Sequence, residues 1–251
     1  MTPDCCLWVV RAPDTPPQAH LAVLTPEERG VCDRFRQRER QARFACGRYL
    51  LRHALAARLG GAPGDFHVAP GRHRRPELCG DVARTFPDID FNLSSTAGYV
   101  ACAVASGLRV GVDIEAPDRV GGRKADNEAV GELVFTAEER SWLAQQADPH
   151  ARFYQLWTLK EAIAKADGEG LGLPFERLRV LPGEDGALAA DLSAVGPGGD
   201  RWRLFSLEAG VPAALALIAE PGDDPVVDLA PALPDAADVD RVPVRLLATM
   251  A

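Results

Sequence analysis

The sequence has no apolar stretch long enough to cross a bilayer, and its opening MTPDCCLWVV carries an acid at Asp4 and no basic residue. Both a membrane anchor and a secretory leader are therefore unexpected, and the reading is of a cytoplasmic protein with no membrane partner. No C-x-x-C spacing occurs, and all six cysteines fall within the first 102 of 251 residues, two of them adjacent (Cys5, Cys6). That pattern argues against a zinc ribbon and a disulfide framework and for reduced, mostly buried thiols. With 47% hydrophobic and 25% charged residues, the chain reads as globular, long enough for one large domain or two small ones.

The formal net charge of −8 is unevenly spread. Residues 29–75 hold twelve arginines against Asp33, Glu39 and Asp65, so the front of the chain should attract phosphates or acidic surfaces. From residue 223 onward there are six aspartates against Arg241 and Arg245, amid proline and alanine. Residues 223–251 are expected to form a loosely attached acidic extension.

Two short passages recur. Thr25-Pro26-Glu27-Glu28-Arg29 returns as Thr136-Ala137-Glu138-Glu139-Arg140, and Ala42-Arg43-Phe44 as Ala151-Arg152-Phe153, at offsets of 111 and 109 residues. Each threonine with its following glutamate can cap a short helix. A longer helix should follow each A-R-F, over 41–59 ending at Gly60-Gly61 and over 150–167 ending at Gly168. Apolar strands close each half, at 89–93 and 99–105 in the first and at 202–207 and 213–219 in the second. The expected fold is α+β. It consists of two similar α/β halves, residues 1–107 and 108–222, related by a pseudo-twofold axis with a ligand site between them.

Arg109-Val110-Gly111-Val112-Asp113-Ile114-Glu115 alternates as a strand does, which points Asp113 and Glu115 to one side. Two converging carboxylates repel one another, and a hard cation such as Mg²⁺ resolves that conflict; a solvated strand face is the plainer reading. In the helix around Trp157-Thr158-Leu159-Lys160-Glu161-Ala162-Ile163-Ala164-Lys165, an apolar stripe of Leu156, Leu159, Ile163 and Ala166 leaves Tyr154, Trp157, Glu161 and Lys165 on the other face. That face brings an acid and a base together at i, i+4, either in a cleft or as a surface pair.

Taken together, Val110-Gly111-Val112-Asp113 and Trp157 to Lys165, forty-three residues apart, resemble the paired signature of the 4'-phosphopantetheinyl transferase superfamily. The resemblance extends to Phe91-Asn92-Leu93-Ser94, to Phe135-Thr136-Ala137-Glu138-Glu139 and to the stretch from Gly168 to Pro174. Length and duplication resemble the two-half monomeric type that activates peptide and polyketide synthetases.

The resemblance implies transfer of 4'-phosphopantetheine from coenzyme A to a serine of an apo acyl or peptidyl carrier protein, with release of 3',5'-ADP. It implies Mg²⁺ on Asp113, Glu115 and Glu161, a proton acceptor in Glu161, and a cation for the departing phosphate in Lys165, with Lys160 near the pyrophosphate. Arg43, Arg75, Ser94 and Ser95 would contact the nucleotide, and the carrier would dock on residues 116–133, guided by Arg119, Arg123 and Lys124.

Two departures bear on binding. Ser95 stands where the family commonly has histidine, and Glu28 and Val31 stand where relatives of this type often carry lysine. A catalytically weak homologue that only binds coenzyme A or carrier protein is the alternative. Nucleic acid is not an expected partner, because the arginine-rich helices carry no recognition motif and the total charge is negative.

Overall fold

The computed structural model describes residues 4–71, 75–117, 124–168, 172–182, 187–193, 201–229 and 240–250. The first half contains β1 (Cys5–Arg11), α1 (Gln18–Ala22), α2 (Pro26–Asp33), α3 (Arg38–Leu59), β2 (Val68–Pro70), β3 (Pro76–Leu78), α4 (Gly80–Thr85), β4 (Ile89–Thr96) and β5 (Tyr99–Ser106). The second contains β6 (Arg109–Ile114), α5 (Lys124–Val134), α6 (Ala137–Ala144), α7 (Pro149–Asp167), β7 (Arg179–Pro182), β8 (Leu188–Asp191), β9 (Trp202–Glu208) and β10 (Pro212–Ile218). Both long helices end at the expected glycines, which take positive φ (Gly60 at 77°, Gly168 at 90°).

The repetition is carried by the sheets. In each half a first strand pairs antiparallel with the last strand of a hairpin: β1 with β5 of the β4–β5 hairpin, and β6 with β10 of the β9–β10 hairpin. Period-2 alternation then gives β1 and β5 two apolar faces. Cys6, Trp8, Val10, Val100, Cys102 and Val104 pack against Cys46, Leu50 and Leu55 of α3. Leu7, Val9, Ala101 and Ala103 point the other way and meet Val110, Val112, Leu215 and Leu217 of the second sheet. On the far side Ala214, Ala216 and Leu204 take the stripe of α7 (Leu159, Ile163, Ala166). The layers therefore run helix, sheet, sheet, helix, with the two halves joined through their sheets.

Strands apolar on both faces cannot show alternation in the sequence, and this hid β1, whose CCLWVV run is buried throughout. The tail departs from the loosely attached extension that its composition suggests. β11 (Val227–Asp228) runs parallel to β1, β12 (Asp240–Arg241) pairs antiparallel with it, and β13 (Arg245–Met250) lies along β9 in the other sheet. The described parts of the tail thus pair with both halves rather than hanging free. Exposed strand edges offer backbone hydrogen bonds that an acidic, proline-rich composition does not advertise.

The duplication also reaches the buried polar groups. Thr25 and Thr136 each accept from the backbone of a glutamate three residues on, and Glu28 and Glu139 each accept in return from the threonine backbone. Each glutamate also reaches its own long helix: Glu28 to Arg52 at 2.8 Å and Glu139 to Lys160 at 2.6 Å. The second pair is wholly buried. Lys160 Nζ completes its donors on the Val134 and Phe175 carbonyls, both at 2.7 Å, and Val180 N–H donates to Glu139 Oε1 at 2.8 Å. Burial pushes the Lys160 pKa down, and Glu139 opposes that shift. Glu139→Ala, which strands this ammonium, is expected to cost about 3–5 kcal/mol in denaturant unfolding, and Glu139→Leu combined with Lys160→Met less than that. A single-variant cost below about 1 kcal/mol would contradict this role.

Candidate active site

β6 is the edge strand of its sheet, so alternate backbone amides point away from β10 and need other partners. Side chains of β4, the edge of the other sheet, supply them. Asp90 Oδ2 accepts from Val110 N–H at 2.9 Å, Asn92 Oδ1 from Val112 N–H at 3.0 Å, and Thr96 Oγ1 from Ala116 N–H at 3.1 Å. The alternating polar residues of Ile89–Thr96 are thus a side-chain ladder joining the halves. Ser94, on the same face, donates to Asp113 Oδ1 at 2.8 Å, and Thr96 donates to Glu115 Oε2 at 3.2 Å. The Asn and Ser of the Phe91-Asn92-Leu93-Ser94 motif therefore serve β6 and its acids.

Helix α7 lies on the other side of β6. A Cβ at Gly111 would come within 2.0 Å of the Ala162 carbonyl oxygen and 2.5 Å of the Ala166 nitrogen, so only glycine admits the helix here. The close approach sets Lys165 against β6. Its Nζ donates to Asp113 Oδ1 at 2.5 Å, Ser94 Oγ at 3.1 Å and the Val112 carbonyl at 3.1 Å. Trp157 donates a side-chain hydrogen bond to Glu115.

Asp113, Glu115, Glu161, Lys165 and Ser94 are thus assembled where the halves meet. Burial first, and then the charge of Asp113, pushes the Glu115 carboxyl above its usual range. Burial likewise raises Glu161, with Lys165 opposing and Asp113 adding to the shift. Among the described residues no three acidic, histidine or cysteine side chains converge closely enough to hold an ion, and Lys165 takes the place beside Asp113 Oδ1. Yet the donors suit a hard divalent cation: the carboxyls of Glu115 and Glu161, both raised by burial and by the charge of Asp113, and an Asp113 Oδ2 that is buried without a hydrogen-bond partner.

The other expected contacts divide. Arg43, Ser94 and Ser95 line one cavity of about 190 Å³ with Arg48. Lys160, expected near the pyrophosphate, is instead sealed against Glu139, because its position faces α6 rather than β6. Arg75, expected on the nucleotide, turns inward. It donates to both oxygens of Asp90 and to the Phe91 and Val110 carbonyls at 2.8 Å, and to the Lys165 carbonyl, bracing α7 against β4 and β6. Tyr154, expected on the open face of α7, is buried with Phe135 and Phe153. Arg72 and His73, in the basic turn before Pro76 that the resemblance also implies for the nucleotide, lie outside the described residues, as do Arg119, Arg123 and the side chain of Lys124. Thr96 and Arg48 were not anticipated. A polar residue two past Ser94 in register with Glu115 was the available signal for Thr96, whereas nothing local marks Arg48.

This geometry agrees with the comparisons to known proteins. The family profile described as the 4'-phosphopantetheinyl transferase superfamily matches residues 109–216, and a second, described as 4'-phosphopantetheinyl transferase, N-terminal, matches residues 14–107. A 4'-phosphopantetheinyl transferase of Bacillus subtilis is 30% identical over 174 residues, covering 68% of this chain and 72% of that protein. The 4'-phosphopantetheinyl transferase HetI of a Nostoc species is 30% identical over 171 residues, or 66% of this chain and 69% of its own. A Helicobacter pylori holo-[acyl-carrier-protein] synthase in complex with coenzyme A aligns with 44% of this chain at 19% identity and a TM-score of 0.34, a likeness too slight to build on. The chain belongs to the 4'-phosphopantetheinyl transferase superfamily. Within it, the chain is of the long, two-half type.

A carboxyl whose folded-state pKa is raised destabilises the fold once ionised; the penalty is absent below the ordinary carboxylate pKa and complete above the folded one. Glu161→Gln should therefore melt higher than the unsubstituted protein at neutral pH without added metal, and the gain should fade as pH falls toward about 4. A variant that melts lower at every pH would contradict the burial and charge environment assigned to Glu161.

Proposed function

We propose that this chain transfers the 4'-phosphopantetheine group of coenzyme A to a serine of an apo acyl or peptidyl carrier protein, as a holo-carrier synthase, and works as a monomer in the cytoplasm. The observation that carries the reading is Asp113, gripped at Oδ1 by Ser94 and Lys165 while Oδ2 is buried and unpartnered, its charge felt by both Glu115 and Glu161. The six cysteines are free thiols, in keeping with a reducing compartment.

Asp113, Glu115 and Glu161 are the residues that would hold Mg²⁺, which when bound supplies positive charge to the pyrophosphate and orients it. The carrier serine oxygen forms a bond to the β-phosphorus as the bond to 3',5'-ADP breaks. Glu161 takes the serine proton. Lys165 offers its ammonium to the charge developing on the leaving phosphate, fixed in place by its contacts to Asp113, Ser94 and the Val112 carbonyl. Polyketide and peptide synthetase carriers are the proposed acceptors.

Incubation of apo carrier proteins with enzyme, coenzyme A and Mg²⁺, followed by intact mass spectrometry, tests the proposal. The expected result is addition of one phosphopantetheine group, lost on omission of Mg²⁺ and slowed by at least about 10²-fold in Asp113→Ala. Binding of coenzyme A with no mass change on any carrier would instead support the binding-only alternative.

A further inference from the structure

Glu115 stands where β6 runs out. Its N–H donates to the Pro212 carbonyl at 3.0 Å, but proline has no N–H to return, and the ladder with β10 closes at Ile114 opposite Ala213. The next amide, that of the buried Ala116, is taken from the other half by Thr96 Oγ1 at 3.1 Å. The same hydroxyl donates to Glu115 Oε2 at 3.2 Å. A hydroxyl has one proton, and with Ala116 N–H held on its oxygen, that proton is left for the carboxylate. Thr96 is the last residue of β4, is buried and, being branched at Cβ, has a stiff χ1.

Ser94 and Thr96 thus form a matched set with Asp113 and Glu115. Both pairs are spaced by two residues, so each hydroxyl of β4 falls on one acid. Ser94 belongs to the Phe91-Asn92-Leu93-Ser94 motif, whereas Thr96 lies beyond it. From α7, Trp157 also donates to Glu115, and its indole stacks on Phe153 with ring centres 6.5 Å apart and meets Phe175 edge-on at 6.4 Å. Glutamate is a long side chain that loses much rotational freedom when it binds an ion. Donors on β4 and α7 remove part of that freedom beforehand, as the outer partners of metal ligands commonly do.

We propose that Thr96 is a positioning residue for Glu115: it presets the carboxylate for a divalent cation and so sets the metal affinity of the site, without itself being a ligand. The two halves are thereby coupled to metal binding, since the hydroxyl comes from one and the acid from the other. The inference rests on the reading of Asp113, Glu115 and Glu161 as metal ligands, and its test reads metal binding rather than carrier modification.

Titration with Mn²⁺ followed by electron paramagnetic resonance, on protein without coenzyme A, decides it. Thr96→Val, which keeps the shape and removes the hydroxyl, is expected to weaken Mn²⁺ binding about tenfold, the usual size of effect for a lost partner of a metal ligand. Thr96→Ser should restore most of the affinity. Because Thr96 also serves the Ala116 amide, a cycle with Glu115→Gln separates positioning from support of the backbone. In the Glu115→Gln protein, Thr96→Val should change Mn²⁺ affinity by less than about twofold, since its target is gone. Melting temperatures check that each variant is folded, and if Thr96→Val is not, Thr96→Cys, a weaker donor, supplies the same comparison at smaller amplitude. Equal losses with and without the Glu115 carboxylate would make Thr96 a structural residue and overturn the proposal. Unchanged Mn²⁺ affinity in Thr96→Val would overturn it too, while leaving the metal assignment standing. No Mn²⁺ binding by the unsubstituted protein would overturn the metal assignment and this inference together.

Discussion

At Gly111 the backbone of β6 touches the backbone of α7, and the absence of a side chain there is what lets two separately encoded groups of proposed catalytic residues meet. Asp113 belongs to the strand and Glu115 follows its end directly; Glu161 and Lys165 belong to the helix. A methyl group at the contact would push against the Ala162 carbonyl, which has no freedom to turn aside inside a helix. Because packed interiors do not compress, the helix would have to move outward, and Lys165 would draw away from Asp113. The glycine of the family signature is thus a distance constraint, and the charged residues on either side of it depend on that distance.

The same strand is held on its free edge by side chains from the other half. Asp90 and Asn92 take β6 amides that no neighbouring strand takes, Thr96 takes the Ala116 amide just past the strand, and Ser94 and Thr96 reach the acids themselves. Arg75 then binds Asp90 and the Lys165 carbonyl together, so that strand, edge and helix form one assembly. A rigid support of this kind matters for phosphoryl transfer, where positioning and preset electrostatics provide most of the rate. It also explains why the site needs both halves: one brings the acids and the base, the other brings the hydroxyls and the cavity.

Much of this was legible in the sequence because it depends on local rules. The repeated Thr-to-Glu spacing marked both short helices, the glycines marked both helix ends, and the D-x-E alternation placed two acids on one side. What escaped depends on partners remote in the chain. Lys160 and Arg75 carry the same charge as Lys165 and Arg43, but only the fold shows that Lys160 turns toward Glu139 and Arg75 toward Asp90. β1 was hidden because both its faces are buried, and the tail strands because their pairing is by backbone, which composition does not encode. Glu28 read as a lost cation, since its ion pairs with Arg48 and Arg52 cross twenty residues or more of helix and loop.

The central claim is that contact at Gly111 assembles the catalytic residues of a phosphopantetheinyl transferase. Its most direct test is the rate of carrier modification by Gly111→Ala at saturating coenzyme A and Mg²⁺, with cooperative thermal unfolding confirming that the variant is folded. The account predicts a folded protein whose turnover falls by about 10²-fold or more, since a displacement of roughly 1 Å at a reacting centre has an effect of that size. A folded Gly111→Ala protein with near-normal turnover would contradict it.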